Sequence, residues 1–274
     1  MSDAPVVEWA RLKAHELRAL AARDAIVILP VASIEQHGPH LPVMTDSRLG
    51  AEIARRAAER AFAAAPTVVA PVVWSGLSEH HMPFGGTLSV SHATFRALII
   101  DLVEAIGRQG FRRILISNSH GGNIIAMQQI ADELGGRRDD GPAVAATTYA
   151  AEAAEALAAL LEDQAGVQHA CEAETSMMMA VEPDLVDASD LGAIGQTDPS
   201  RALSMGRGAF RWRPFEDLTA DGVLGAPARA TAEKGEALLE AGADAVAALL
   251  TDAALWRASE DRRGEGTGGV PFRR

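Results

Sequence analysis

Apolar positions fall along this chain in two rhythms, and their alternation predicts the fold. Ala25 to Val31, Thr67 to Trp74, Ile114 to Asn118 and Ala143 to Tyr149 are short apolar runs without a period-two pattern, so each reads as a strand buried on both faces. Between and around them the spacing turns helical. Trp9 to Ala21, Asp46 to Phe62, Ser91 to Arg108, the stretch running through Leu134, Ala150 to Leu161, Thr175 to Val181 and Thr231 to Leu250 each carry apolar residues three and four apart. Strands alternating with helices predict an α/β fold with a mostly parallel sheet covered on both faces. Ligands of such sheets bind off the carboxyl ends of the strands.

The polar segments fall at those ends. Ser33-Ile34-Glu35-Gln36-His37-Gly38-Pro39-His40 follows the first strand, with Thr45-Asp46 just behind it. Ser78-Glu79-His80-His81 and a glycine-rich turn follow the second strand, and Ser119-His120-Gly121-Gly122-Asn123 the third. Carboxylates brought close together repel strongly unless a cation neutralises them, and imidazole with carboxylate suits a divalent metal. Singly, each residue has a plain reading: Asp46 as a helix N-cap, and His120 with its glycines as a strand-to-helix turn. Their convergence on one sheet edge is what favours a site.

His169-Ala170-Cys171-Glu172-Ala173-Glu174-Thr175-Ser176 forms a further cluster. Two glutamates two apart on an extended segment share a face, suiting one metal ligand and one supporting acceptor. Glu172 is read as the ligand, and Glu174 as the supporting group that starts the following helix. Cys171 is read as a small packed residue. Adjacent His80 and His81 cannot both point one way, and His81 is assigned to the substrate. His15 and His92 are read as surface residues.

The chain has 274 residues, with 48% hydrophobic and 23% charged residues, enough for a full core. No internal repeat or linker divides it, so residues 1–274 are expected to form one domain, with a flexible tail from about 259 to 274. Leu191 to Gly225, holding Met205, Trp212, Pro214 and Phe215, reads as a long surface excursion, functional or at a subunit contact. A net charge of −12 argues against a nucleic-acid partner. No apolar run approaches the roughly 20 residues of a membrane helix, so no membrane association is expected. The single cysteine and the absence of a signal-peptide pattern lead to an expected cytoplasmic location.

Taken together, the Ser33 to Pro42 motif with Thr45-Asp46, His81 to Thr87, Ser119 to Asn123 and His169 to Ser176 resemble the creatininase (creatinine amidohydrolase) family, over about Trp9 to Leu250. The resemblance implies a three-layer α/β/α subunit, a homohexamer, and two divalent metal ions, zinc first and manganese or iron as alternatives. It implies that Glu35 and His120 bind one ion and His37 the other, that Asp46 bridges them, and that His169 transfers a proton. Asn118 and His81 would orient a small-molecule substrate. True creatininases carry a glutamate where this chain has Gly122, so the fifth ligand is sought in Glu172. Tyr149 is the only tyrosine, and no tryptophan lies between Trp74 and Trp212, which argues against creatinine as the substrate. The activity implied is hydrolysis of a C–N amide-type bond in a small cyclic or linear amide. Deformylase and peptidase branches of the family are alternatives, phosphoester hydrolysis is a rival chemistry, and a non-catalytic oligomeric metal-binding protein is the rival from outside enzymology.

Overall fold

The computed structural model describes residues 5–136, 141–162, 164–195, 212–260, 262–263 and 269. Met205, the middle of the Leu191 to Gly225 excursion (196–211) and most of the expected tail lie outside the described residues. Four parallel strands, β1 (Ile26–Val31), β2 (Thr67–Val69), β3 (Arg113–Asn118) and β4 (Ala143–Thr148), pair in the order β2-β1-β3-β4. The second strand is shorter than its apolar run. After Val69 only Val73 returns to the sheet, as an isolated bridge to Val31.

All six residues of β1 are buried, and five of them divide between two cores. Ile26 and Ile28 pack with α2 (Thr45–Ala61), α7 (Glu172–Val181) and α8 (Ala232–Thr251), through Leu49, Ile53, Met177, Leu238 and Leu239. Val27, Leu29 and Val31 face α1 (Ala14–Ala22), α3 (His92–Arg108) and α4 (Ile124–Gly136), through Leu17, Phe95, Ile99, Val103 and Met127. Alternate side chains of one continuous apolar strand thus serve opposite helix layers, which is why the strand shows no period of two. The result is a three-layer α/β/α arrangement.

Three helices differ from expectation. The run from Trp9 breaks into a single 3-10 turn, Trp9–Arg11, and α1. Glu16 accepts the Lys13 backbone N–H at 2.7 Å and starts the helix afresh. Ala150 to Leu161 forms two short helices, α5 (Tyr149–Glu152) and α6 (Ala154–Ala158). Helix α7 begins at Glu172, three residues early, so both glutamates of the cluster are helical.

Candidate active site

Every strand-end motif reaches the carboxyl edge of the sheet, and Glu35, His37, Asp46, His81, His120 and Glu174 meet there, all buried. Glu35 and His37 sit on the segment after β1, whose backbone is fixed by Glu35 N–H donating to Val43 O and by an antiparallel bridge between His37 and Leu41. Asp46 lies in the first turn of α2, and His120 leaves β3. Two sets of ligand atoms result, Glu35/Asp46/His120 and His37/Asp46/Glu174, each within 4.8 Å of one another. Asp46 belongs to both. Glu35, His37 and His169 form a third such set.

The hydrogen bonds on the far sides of the rings decide how the imidazoles face these sets. His37 Nδ1 is 3.1 Å from the Glu35 carbonyl, which can only accept, so it carries the proton and turns the Nε2 lone pair toward Asp46 Oδ1 at 3.4 Å and Glu174 Oε2 at 3.7 Å. His120 Nε2 is 3.2 Å from the Leu77 carbonyl, leaving its Nδ1 lone pair against Glu35 Oε2 at 3.0 Å and Asp46 Oδ2 at 3.2 Å. Lone pairs aimed at carboxylates repel unless a proton or a metal ion stands between them. Two atoms there, His37 Nε2 and Asp46 Oδ2, are buried with no hydrogen-bond partner. Among the described residues the ion-pair partners of Glu35, Asp46 and Glu174 are imidazoles, so no guanidinium or ammonium balances the three acids.

Protons fill the gap when no cation does. Burial opposes charging His37, but Asp46, Glu174 and Glu35 outweigh it and lift the imidazole to about 9. His120 is likewise opposed by burial and raised well above its usual range by Glu35 and Asp46. Burial pushes the Glu174 carboxyl up to about 8, helped by Asp46 and Glu35 and resisted by His37.

Glu172 is placed elsewhere than expected. Successive residues of a helix turn about 100°, so Glu172 and Glu174 point to nearly opposite sides of α7. The Glu172 carboxylate is fully buried against Lys234 Nζ of α8 and the Glu162 backbone N–H at 3.1 Å, and belongs to none of the ligand sets. Glu174 does serve the helix start, accepting the Ala170 N–H at 2.6 Å, but a carboxylate has further lone pairs for a second partner. At position 122 a side chain has no room, since a Cβ there would overlap the Leu77 carbonyl and His120 Nε2. Here Glu174, on another element, joins His37 and Asp46 in the second set of ligand atoms.

Asn118 also departs from its expected substrate role. It is buried and committed to the His120 turn, its Oδ1 accepting His120 N–H at 3.1 Å and its Nδ2 donating to His120 O at 2.6 Å. His81 Nε2 lies 3.2 Å from Glu35 Oε1, so its first partner is a site carboxylate. His169 is held by an antiparallel bridge to Leu224, with its ring 4.3 Å from those of both His37 and His81.

Three residues of the site had no chemical signal in the sequence. Ser78 donates to Glu35 Oε2 at 2.7 Å. Phe215 packs its ring 4.2 Å from His81 and 4.9 Å from His169. Gln36 lies among His81, His169 and Gly222. A hydroxyl, a phenyl ring and a neutral amide are common everywhere; only the position of Gln36 between Glu35 and His37 could have marked it.

Residues 10–250 match the family described as Creatininase: Creatinine amidohydrolase. A mycofactocin precursor peptide peptidase of Mycolicibacterium smegmatis is 33% identical over 221 residues, covering 80% of this chain and 81% of its own. A creatinine amidohydrolase of Pseudomonas putida is 29% identical over 254 residues, with 88% and 94% covered. A crystal structure of creatinine amidohydrolase (creatininase) superimposes with a TM-score of 0.73 at 27% identity, covering 90% of this chain and 97% of that one. With fold, strand-end motifs and family match in agreement over most of its length, the chain belongs to the creatininase family.

Proposed function

We propose that this protein is a metal-dependent amidohydrolase that cleaves a C–N amide-type bond of a small cyclic or linear amide. Glu35, Asp46 and His120 would hold one divalent ion, and His37, Asp46 and Glu174 a second, zinc first by donor chemistry and manganese or iron also suited. The observation that carries the reading is the pair of buried atoms without a hydrogen bond, His37 Nε2 and Asp46 Oδ2, set among three acids whose ion-pair partners, among the described residues, are imidazoles. Two ions bound there supply a nucleophilic water at neutral pH and polarise a carbonyl. The chain's own part is to hold those donors rigid, to shield the site with the Phe215 ring, and to move a proton at His169 Nδ1, 3.5 Å from Glu35 Oε1.

The family likeness supports a homohexamer and a cytoplasmic enzyme formed from a single domain. Among the described residues no helix is long and apolar enough to cross a membrane. A peptide amide is the second substrate reading, favoured by the identity to the mycofactocin precursor peptide peptidase. The test is a screen of cyclic amides, formamides and short peptides against zinc-, manganese- and iron-loaded protein, scored by release of the amine. Cleavage abolished by a chelator and restored by metal is expected. Failure of every metal form to hydrolyse any amide, with two ions bound, would leave a metal-binding protein instead.

Two further outcomes are expected. Glu174→Gln removes an anionic donor and lowers metal content from about two ions to about one, whereas Glu172→Gln keeps both ions. Glu172→Gln instead weakens the contact with the largely buried Lys234, which keeps Glu162 at 2.8 Å, and lowers stability by about 1–3 kcal/mol, the cost of losing one partner of a buried charged hydrogen bond. Metal analysis beside thermal unfolding separates the two, and loss of an ion in Glu172→Gln would reinstate that residue as a ligand.

The second outcome is a pH dependence. In the metal-free protein His37 is raised from 6.5 to about 9 and Glu174 from 4.5 to about 8. At these two groups the folded state holds more protons than the unfolded chain, so the stability they contribute falls as pH rises. The His37 contribution is complete below pH 6.5 and gone above about 9, a fall on the order of 2–4 kcal/mol. Metal displaces these protons, so ion binding should tighten with rising pH and flatten the stability profile. Denaturant titrations at pH 6 and pH 9, with and without zinc, check both signs.

A further inference from the structure

Gln36 is neither acid nor base, yet it touches both imidazoles that the ligand sets Glu35/Asp46/His120 and His37/Asp46/Glu174 leave out. The orientation of its carboxamide is fixed twice over. Oε1 is 2.9 Å from the Gly38 N–H, which can only donate, and Nε2 is 3.1 Å from the Gly222 carbonyl, which can only accept. The amide has two hydrogens and three neighbours, Gly222 O, His81 Nδ1 at 2.8 Å and His169 Nε2 at 3.0 Å. Counting resolves the surplus. His169 Nε2 also lies 2.8 Å from the backbone carbonyl of Gln36, so it must carry a hydrogen itself, and the second amide hydrogen goes to His81.

We propose, on the hydrolase reading above, that Gln36 is the positioning residue that sets the proton arrangement of both imidazoles. Its carboxamide makes His81 Nδ1 an acceptor and turns the His81 Nε2–H onto Glu35 Oε1, 3.2 Å away. Its backbone carbonyl takes the His169 Nε2–H and leaves the Nδ1 lone pair facing Glu35, where a proton can be received. One residue thereby makes a donor of one histidine and an acceptor of its neighbour, though their rings stack at 4.3 Å. The surroundings are shaped for it: Gly222 adopts φ +81°, and a Cβ there would overlap Gln36 Oε1. The segment that follows Phe215 is thus docked on Gln36 through a position that admits only glycine.

The experiment is long-range 1H–15N spectroscopy of 15N-histidine-labelled, zinc-loaded protein, which reports the ring nitrogen that carries hydrogen. The native protein is expected to show His81 and His169 both protonated at Nε2. Gln36→Glu keeps the shape but replaces the donor with an oxygen, and should draw a proton to His81 Nδ1. Turnover of the best amide substrate should fall roughly 10–100-fold with little change in KM, the usual cost of losing an outer partner. Gln36→Met, which keeps bulk without a donor, should release His81 into mixed forms and covers the case in which the glutamate variant fails to fold. A native spectrum with His81 protonated at Nδ1 overturns the proposal, as does a proton that moves in Gln36→Glu while turnover stays intact. A proton that moves in a protein that cleaves no amide in any metal form upholds the Gln36 assignment and overturns the hydrolase reading alone.

Discussion

Asp46→Asn is expected to empty both metal positions and to bring amide hydrolysis to background, the largest loss of any single replacement in this protein. The reason is geometric. Asp46 Oδ1 lies 3.4 Å from His37 Nε2 and Oδ2 lies 3.2 Å from His120 Nδ1, so one carboxylate addresses both ligand sets with separate oxygens. Asparagine offers one oxygen, and presents N–H donors to whichever imidazole lone pair the other end faces. Those new hydrogen bonds would stabilise the metal-free site while removing an anionic ligand, so both effects weaken ion binding. The loss should exceed the roughly 10–100-fold seen on deleting an outer partner of a metal ligand. His37→Ala supplies the contrast: of the two sets that share Asp46 it belongs to one only, and it should leave about one ion per subunit. Metal analysis of the two purified variants makes the comparison, and an Asp46→Asn protein that retains both ions would exclude the bridging role.

The hydrophobic rhythm carried most of the fold because buried parallel strands and their covering helices are specified by side-chain pattern alone. Ile26, Ile28, Val27 and Leu29 needed no knowledge of their partners to be read as a two-faced strand. Boundaries were less legible where local hydrogen bonding competes with periodicity. Thr175 and Ser176 look like helix-starting residues, yet His40 engages the Thr175 hydroxyl and Ser176 Oγ donates back to the Glu172 carbonyl inside an existing turn. That three-residue difference decides which glutamate faces His37. An extended Glu172-Ala173-Glu174 puts both acids on one face, whereas a helical one sends Glu172 to Lys234 and Glu174 to His37.

Charge was legible and neutrality was not. Glu35, His37, Asp46 and His120 stand out because buried acids and imidazoles need partners, and their convergence follows from strand ends sharing one edge. Asn118 has the right address but spends its amide on the His120 backbone. Gln36, Ser78 and Phe215 act through a hydrogen-bond count or a ring face, which only coordinates reveal.

His169→Ala is expected to keep both ions and to lose roughly 10²–10⁴-fold in kcat, the span of a positioned acid–base group, or about 3–5 kcal/mol of barrier. Three features set this histidine apart from His37, His81 and His120. Its side chain is 12% exposed where those of His37, His81 and His120 are at most 3% exposed, so it is the most solvent-accessible of the four. It is supplied by a separate segment, paired to Leu224, and not by a strand end. Burial, with His37 and His81 close by, holds it well below the usual imidazole range, so it stands neutral near pH 7 with a lone pair to receive a proton. The competing role is visible in the same geometry, since Glu35, His37 and His169 also form a compact set of ligand atoms. Metal content decides between them: two ions with little turnover in His169→Ala identify a proton carrier, and one ion identifies a ligand.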